Sequence, residues 1–122
     1  MGTRPVLVVD DDPDIRETLR FVLEDAGYPV YLAENGKEAL DLLTDVSPPP
    51  GLILLDLMMP IMSGDEMLRA LKTVHALAAI PVAIVTASGA RMPDNASSML
   101  RKPVDLDALL RVVAKNCHVN DD

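Results

Sequence analysis

Short apolar runs alternate along this chain with segments whose apolar residues recur every three or four positions. Val6-Leu7-Val8-Val9 and Leu52-Ile53-Leu54-Leu55 have no polar break. Such runs read as strands buried on both faces of a sheet. Pro29 to Ala33, Ile80 to Val85 and the short pair Met99-Leu100 read as three more strands. Between the runs the period becomes helical. Ile15, Leu19, Val22, Leu23 and Ala26 share one helix face, and Ala39, Leu40, Leu43 and Val46 a second. Met67, Leu68, Leu71 and Val74 form a third, and Leu106, Leu109, Leu110 and Val113 a fourth.

The polar residues between these segments supply the punctuation. Asp12 precedes Pro13 as an N-cap precedes a first-turn proline, and Gly27 closes that helix. Glu38 lies three residues past Asn35, and Ser63-Gly64-Asp65-Glu66 has the form of a capping box. Asp105 caps the last helix. Ser47-Pro48-Pro49-Pro50 suits neither helix nor central strand and reads as a loop. The rhythm fails between Thr86 and Lys102. Ser88, Gly89, Pro93, Asp94, Asn95, Ser97 and Ser98 are poor helix residues, so a loop or a single helical turn is expected there. The alternation as a whole predicts an α/β fold, a parallel sheet with helices on both faces. No repeat or long linker divides the chain, so residues 1–122 read as one domain.

Composition narrows the picture. Hydrophobic residues make up 49% of the 122 and aromatics only 2%, so the core must be aliphatic. A formal net charge of -8 argues against direct binding to nucleic acid or to anionic membranes, both of which favour basic surfaces. The one cysteine, Cys117, permits no internal disulfide and fits a reducing compartment. The first apolar run is too short for a signal peptide, and no run approaches membrane-spanning length. A cytoplasmic chain is expected.

Asp10-Asp11-Asp12, Asp56, Thr86 and Lys102 all fall at or just after predicted strand ends. In an open parallel sheet those ends form the ligand-binding edge. Several carboxylates gathered there repel one another, and a hard divalent cation relieves the repulsion. Mg²⁺ suits oxygen ligands and keeps several waters, whereas no histidine or cysteine stands nearby to suggest zinc. With Mg²⁺ in place an aspartate can attack a phosphoryl group, and a lysine and a hydroxyl can steady the transferring oxygens. Each fragment alone has a plainer reading. Three aspartates after a strand are often a solvated loop and cap, and Thr86 or Lys102-Pro103 alone carries no signal. Their joint order and spacing favours function.

These residues resemble the response-regulator receiver domain of two-component signalling. Val8-Val9-Asp10-Asp11-Asp12, Leu55-Asp56-Leu57-Met58-Met59-Pro60, Gly64, Val85-Thr86-Ala87 and Lys102-Pro103 carry the likeness, which spans essentially the whole chain. The resemblance implies a flavodoxin-like, doubly wound, five-stranded parallel sheet in the order 2-1-3-4-5. It implies that Asp56 is the phosphoacceptor and that Asp11 ligates Mg²⁺ directly, with Asp10 beside it acting through water. The Met58 carbonyl would complete the protein ligands to the metal that Asp56 shares. Thr86 would be the switch hydroxyl, Lys102 the phosphate-binding lysine, and the Lys102-Pro103 bond cis. The phosphodonor would be a sensor histidine kinase or a histidine phosphotransfer protein. The domain would phosphorylate itself and hydrolyse the product slowly, without being a turnover enzyme.

Three positions depart from the family pattern. Met99 stands where an aromatic residue usually precedes the lysine, and Val104 replaces a frequent phenylalanine after Lys102-Pro103. The stretch from Thr86 to Lys102 is short by roughly one and a half helical turns. A shortened or missing fourth helix and an altered output face are therefore expected, and dimerisation through that face is disfavoured. No DNA-binding segment follows the last predicted helix, so the chain would be a stand-alone regulator or one domain of a larger protein. Two other readings stay open: a scaffold independent of phosphorylation, and a small Mg²⁺-dependent phosphohydrolase. His75, His118, Tyr28 and Tyr31 read as core or surface residues. Met58, Met59 and Met62 read equally well as loop packing or as a soft docking surface.

Overall fold

Five short strands lie side by side in a computed structural model that describes residues 2–87 and 91–119. They are β1 (Val6–Val9), β2 (Val30–Ala33), β3 (Leu52–Leu55), β4 (Val82–Thr86) and β5 (Ser98–Arg101). Every neighbouring pair is parallel, and the order across the sheet is β2-β1-β3-β4-β5. The register sets Val9 beside both Ala33 and Leu55, so β1, β2 and β3 end level. The chain leaves β1 toward one side for β2 and returns to the other side for β3. That reversal makes the carboxyl ends of β1 and β3 the switch point of the sheet.

The helices are α1 (Pro13–Asp25), α2 (Gly36–Asp45), α3 (Gly64–Thr73) and α4 (Leu106–Cys117), and a single helical turn, His75–Ala78, precedes β4. Alternate strand residues feed two cores. Leu7, Val9, Ile53, Leu55, Val82 and Ile84 pack with Ala39 and Leu43 of α2 and Met67, Leu68 and Leu71 of α3. Val6, Val8, Leu52, Leu54, Ala83 and Val85 pack with Leu19 and Leu23 of α1 and Leu109, Val113 and Cys117 of α4. Each fully buried aliphatic side chain contributes roughly 1.5–3 kcal/mol, so two such layers hold the sheet without an aromatic core.

Most of the punctuation acts as its chemistry suggests. Asp12 caps α1 by accepting from Asp14 and Ile15 N–H. Ser63 and Glu66 form the reciprocal capping box at α3. Asn35 accepts from Glu38 N–H, but the Glu38 carboxylate accepts from Glu34 N–H instead of closing a box. The Lys102-Pro103 bond is cis, as expected, and so is Ser47-Pro48, which was not foreseen.

Several boundaries differ. β4 begins at Val82, not Ile80, because Pro81 has no N–H to give a ladder and only its carbonyl bonds, accepting from Ile53 N–H. Val74 was expected inside, but α3 stops at Thr73 and Val74 turns to extended backbone, 44% exposed. Leu106 is 44% exposed for a related reason: it is the first residue of α4, on the rim of the core. Ala26 is the exposed C-cap of α1 rather than part of its buried stripe. An antiparallel pairing of Gly2–Thr3 with His118–Val119 was not anticipated.

Between β4 and β5 no described residue is helical. Ala96 N–H bonds to Pro93 carbonyl and Ser97 N–H to Val82 carbonyl, which leads the chain into β5. Ala96 and Met99 pack against the α2–α3 core. Ser88 and Gly89, counted among the poor helix residues, lie outside the described residues.

Candidate functional site

The carboxyl ends of β1 and β3 bring three aspartates together. One carboxylate oxygen each of Asp10, Asp11 and Asp56 lies within 4.8 Å of the other two. Asp10 and Asp56 are buried and Asp11 is exposed. Asp10 N–H bonds to Ala33 carbonyl and Asp56 N–H to Val9 carbonyl, so each follows directly from the ladder of its strand. Backbone pairing, not a flexible loop, fixes where these two side chains start.

Lys102 reaches the cluster from just beyond β5. Its Nζ donates to Asp10 Oδ2 at 3.0 Å and lies 3.6 Å from Asp56 Oδ2. Its own N–H donates to the Thr86 carbonyl, which joins the ends of β4 and β5 behind the site. Thr86 is buried at the end of β4. Asp10 Oδ1 accepts from Asp12 N–H at 2.9 Å, so both oxygens of Asp10 already have donors. Asp56 Oδ1 accepts from Met58 N–H at 3.2 Å.

These contacts set the charge balance. Burial raises the Asp56 pKa, and the charges of Asp10 and Asp11 raise it further. The Met58 N–H and the Lys102 ammonium pull it back without cancelling the rise. Burial alone would lower the Lys102 pKa, but the hydrogen bond and charge of Asp10, joined by Asp56, outweigh it and the net shift is upward. The lysine therefore stays an ammonium, and Asp56 is a carboxylate held at some cost.

The donor set fits a hard cation. It offers carboxylate oxygens without nitrogen or sulfur, with one exposed carboxylate, Asp11, at its mouth. Mg²⁺ suits this arrangement and zinc does not. Of the three methionines near Asp56, Met58 is 77% exposed, while Met59 and Met62 are partly buried against the core. An apolar cleft of about 350 Å³, lined by Ile15, Leu19, Pro103, Val104 and Leu106, opens beside Lys102.

Two contributors were not read from the sequence. Arg16 Nη1 donates to the Asp10 carbonyl at 2.7 Å, although its place in the helical pattern marks it only as a polar α1 residue. Gly64 was noted as a motif residue without a role. An added Cβ there would clash with the Asp56 carbonyl oxygen and lie 2.7 Å from Leu57 Cα. Only glycine lets the start of α3 close against the Asp56 turn, where Gly64 N–H also bonds Leu57 carbonyl.

Fold and site together describe an α/β protein that collects carboxylates and one lysine at the switch point of its sheet. The chain belongs to the response regulator receiver domain family, whose model matches residues 6–114. A 14.6 kDa uncharacterized protein from Leptolyngbya boryana is 40% identical, covering 92% of this chain and 88% of that one. The transcriptional regulatory protein CpxR of Escherichia coli is 35% identical over 93% of this chain. The response regulator MprA of Mycolicibacterium vanbaalenii is 40% identical over 86%. The chain spans about half the length of those two regulators, 50% and 46% respectively. Among solved structures, the chemotaxis protein CheY4 of Vibrio cholerae superposes with a TM-score of 0.82 at 28% identity, covering 94% of this chain and 99% of that one. No described helix is long and apolar enough to cross a membrane.

Proposed function

We propose that this receiver domain takes a phosphoryl group on Asp56 in a Mg²⁺-dependent reaction. The observation that carries the reading is the reach of Lys102 to both Asp10 and Asp56 across an otherwise acidic, largely buried pocket. A solvated acidic loop has no need of a lysine brought from the far end of the chain.

The Asp56 carboxylate oxygen attacks phosphorus, the bond from phosphorus to the donor's imidazole nitrogen breaks, and that nitrogen leaves with the bonding electron pair. The product is an aspartyl phosphate, and water later cleaves it to restore the carboxylate. Asp11 would hold Mg²⁺ directly, Asp10 through water, and Asp56 and the Met58 carbonyl would complete its protein ligands. When bound, the cation supplies charge to the transferring oxygens. Lys102 turns from the carboxylates toward the incoming phosphoryl oxygens, and the Thr86 hydroxyl donates to another. Burial of Asp10 and Asp56 keeps water from weakening these contacts.

A sensor histidine kinase or a histidine phosphotransfer protein supplies the phosphoryl group in this reading, and the cleft beside Lys102 gives such a partner apolar surface near the acceptor. Residues 1–122 serve as one receiver domain in a cytoplasmic setting. The signal leaves by an altered route, because Met99 replaces the usual aromatic and no described residue between β4 and β5 is helical. Acetyl phosphate with Mg²⁺ should add one phosphoryl group to the wild type and none to Asp56→Asn, read by intact mass. Equal labelling of both, or labelling of neither, overturns the proposal. Many turnovers on simple phosphate esters would instead favour a phosphohydrolase.

A further inference from the structure

We propose that Arg16 is a positioning residue for the acidic turn, fixing the Asp10 carbonyl and thereby the presentation of Asp10 and Asp11 to the cation. The inference rests on the functional reading above and deepens it.

Arg16 lies one turn into α1, where its N–H bonds back to the carbonyl of the capping residue Asp12. Side chains on a helix lean toward its N-terminus, which aims this one at the strand end it has just left. The half-buried guanidinium donates to the Asp10 carbonyl at 2.7 Å, a short charge-assisted bond. The Asp10 N–H still bonds across to Ala33, but its carbonyl takes this bond from a side chain. The peptide that follows carries Asp11. Holding the carbonyl stops that peptide from rotating, and with it the exposed carboxylate from swinging off the site.

The choice of acceptor matters as much as the bond. Asp10, Asp11, Asp12 and Asp14 crowd this turn, yet Arg16 forms no ion pair with any of them among the described residues. Arg20, one turn on, does the opposite and holds the Glu17 carboxylate at 2.6 Å. Arg16 therefore adds positive charge beside the acidic turn without itself occupying a carboxylate oxygen. Lys102, by contrast, occupies Asp10 Oδ2 directly.

A purely structural cap would change stability and nothing else. The test compares the wild type with R16M, R16K and R16Q in the full chain. In metal-free protein, exchange of the Asp12 amide hydrogen reports the Asp12 N–H to Asp10 Oδ1 bond. Titration with Mg²⁺, followed by NMR shifts, reports affinity. R16M should lose Asp12 protection and bind Mg²⁺ about 10-fold or more weakly, as supporting residues around metal ligands do. R16K should recover both, because an ammonium reaches the same carbonyl. If R16M does not fold, R16K should still bind about 10-fold tighter than the shorter, neutral R16Q. R16M within twofold of the wild type, or R16K no better than R16M or R16Q, overturns the role of Arg16. A wild type that binds no Mg²⁺ overturns the functional reading itself, and with it this one.

Discussion

Lys102 donates its hydrogen bond to Asp10, at 3.0 Å, and leaves Asp56 as the more distant partner at 3.6 Å. The proposed nucleophile is therefore the less compensated of the two buried carboxylates. Burial and the neighbouring aspartates raise its pKa, and the lysine offsets only part of that rise.

A raised carboxyl pKa means that the folded protein holds the proton more tightly than the unfolded chain does. The stability this contributes is fully present below the unfolded value, near 3.9, and is lost as pH rises through the higher folded value. At pH 7 the ionised Asp56 is then a burden on the metal-free fold. Asp56→Asn should raise the unfolding free energy in EDTA at pH 7. The gain should shrink as pH falls toward 4. Saturating Mg²⁺ should narrow or reverse the difference, because the cation stabilises only the form it binds. Thermal unfolding with and without EDTA measures each part. An Asn variant less stable than the wild type in EDTA at pH 7 contradicts the charge balance described for the site.

The strands and the pocket were legible because their signals are local. An unbroken run such as Leu52 to Leu55 can only be buried on both faces, and the aspartate ending it falls at the sheet edge by topology alone. Arg16 was not legible, because helical periodicity says which face a residue occupies and not that a long side chain folds back on the preceding turn. The exposure of Val74 and Leu106 was missed for a similar reason: their spacing matches the buried stripe, but both stand where a helix ends or begins. The pairing of Gly2–Thr3 with His118–Val119 joins the two ends of the described chain in two residues, too short for any period to show.

Gly64 makes a sharper test of how the turn after Asp56 is held. A methyl group there would meet the Asp56 carbonyl oxygen and Leu57 Cα, both main-chain atoms with little freedom to yield. Gly64→Ala gains helix propensity of about 1 kcal/mol in principle. The clash should exceed that gain, for a net loss of about 2 kcal/mol or more. The Asp56 backbone should shift with it, so labelling by acetyl phosphate should slow by more than the change in folded fraction explains. Urea unfolding together with labelling rate separates the two effects. An alanine variant as stable and as fast as the wild type would show that the turn has slack.

Ile61 adopts φ 69°, the left-handed region, and is 77% exposed. A β-branched residue is strained there, and its exposed side chain recovers little by burial. Asparagine tolerates this region far better. Ile61→Asn should therefore stabilise the protein by about 0.5–1 kcal/mol, with the urea m-value unchanged. A destabilised variant would mean that the isoleucine side chain has packing not evident from its exposure.

Cys117 gives the last test, at the opposite end of the sheet from the aspartate cluster. It is fully buried at the end of α4, with its thiol 3.7 Å from the Pro5 carbonyl. Burial pushes the thiol from an ordinary 9.0 up to about 11, although the Arg4 charge and a backbone hydrogen bond from Gly51 work the other way. Here too the folded value lies above the unfolded one. The resulting stability is whole below about pH 9 and is lost as pH rises toward 11, a loss on the order of 2 kcal/mol. Lysines and tyrosines titrate in the same window, so the wild type must be compared with Cys117→Ala. The variant should be less stable at pH 7, because it leaves a small cavity. Its stability should then fall less steeply than the wild type's between pH 9 and 11, and the two curves should converge. Parallel curves across that range would mean that the thiol ionises in the folded protein as readily as in the unfolded chain. In that case alkylation of the native protein at pH 9 should also be fast, whereas the burial described here requires it to be slow.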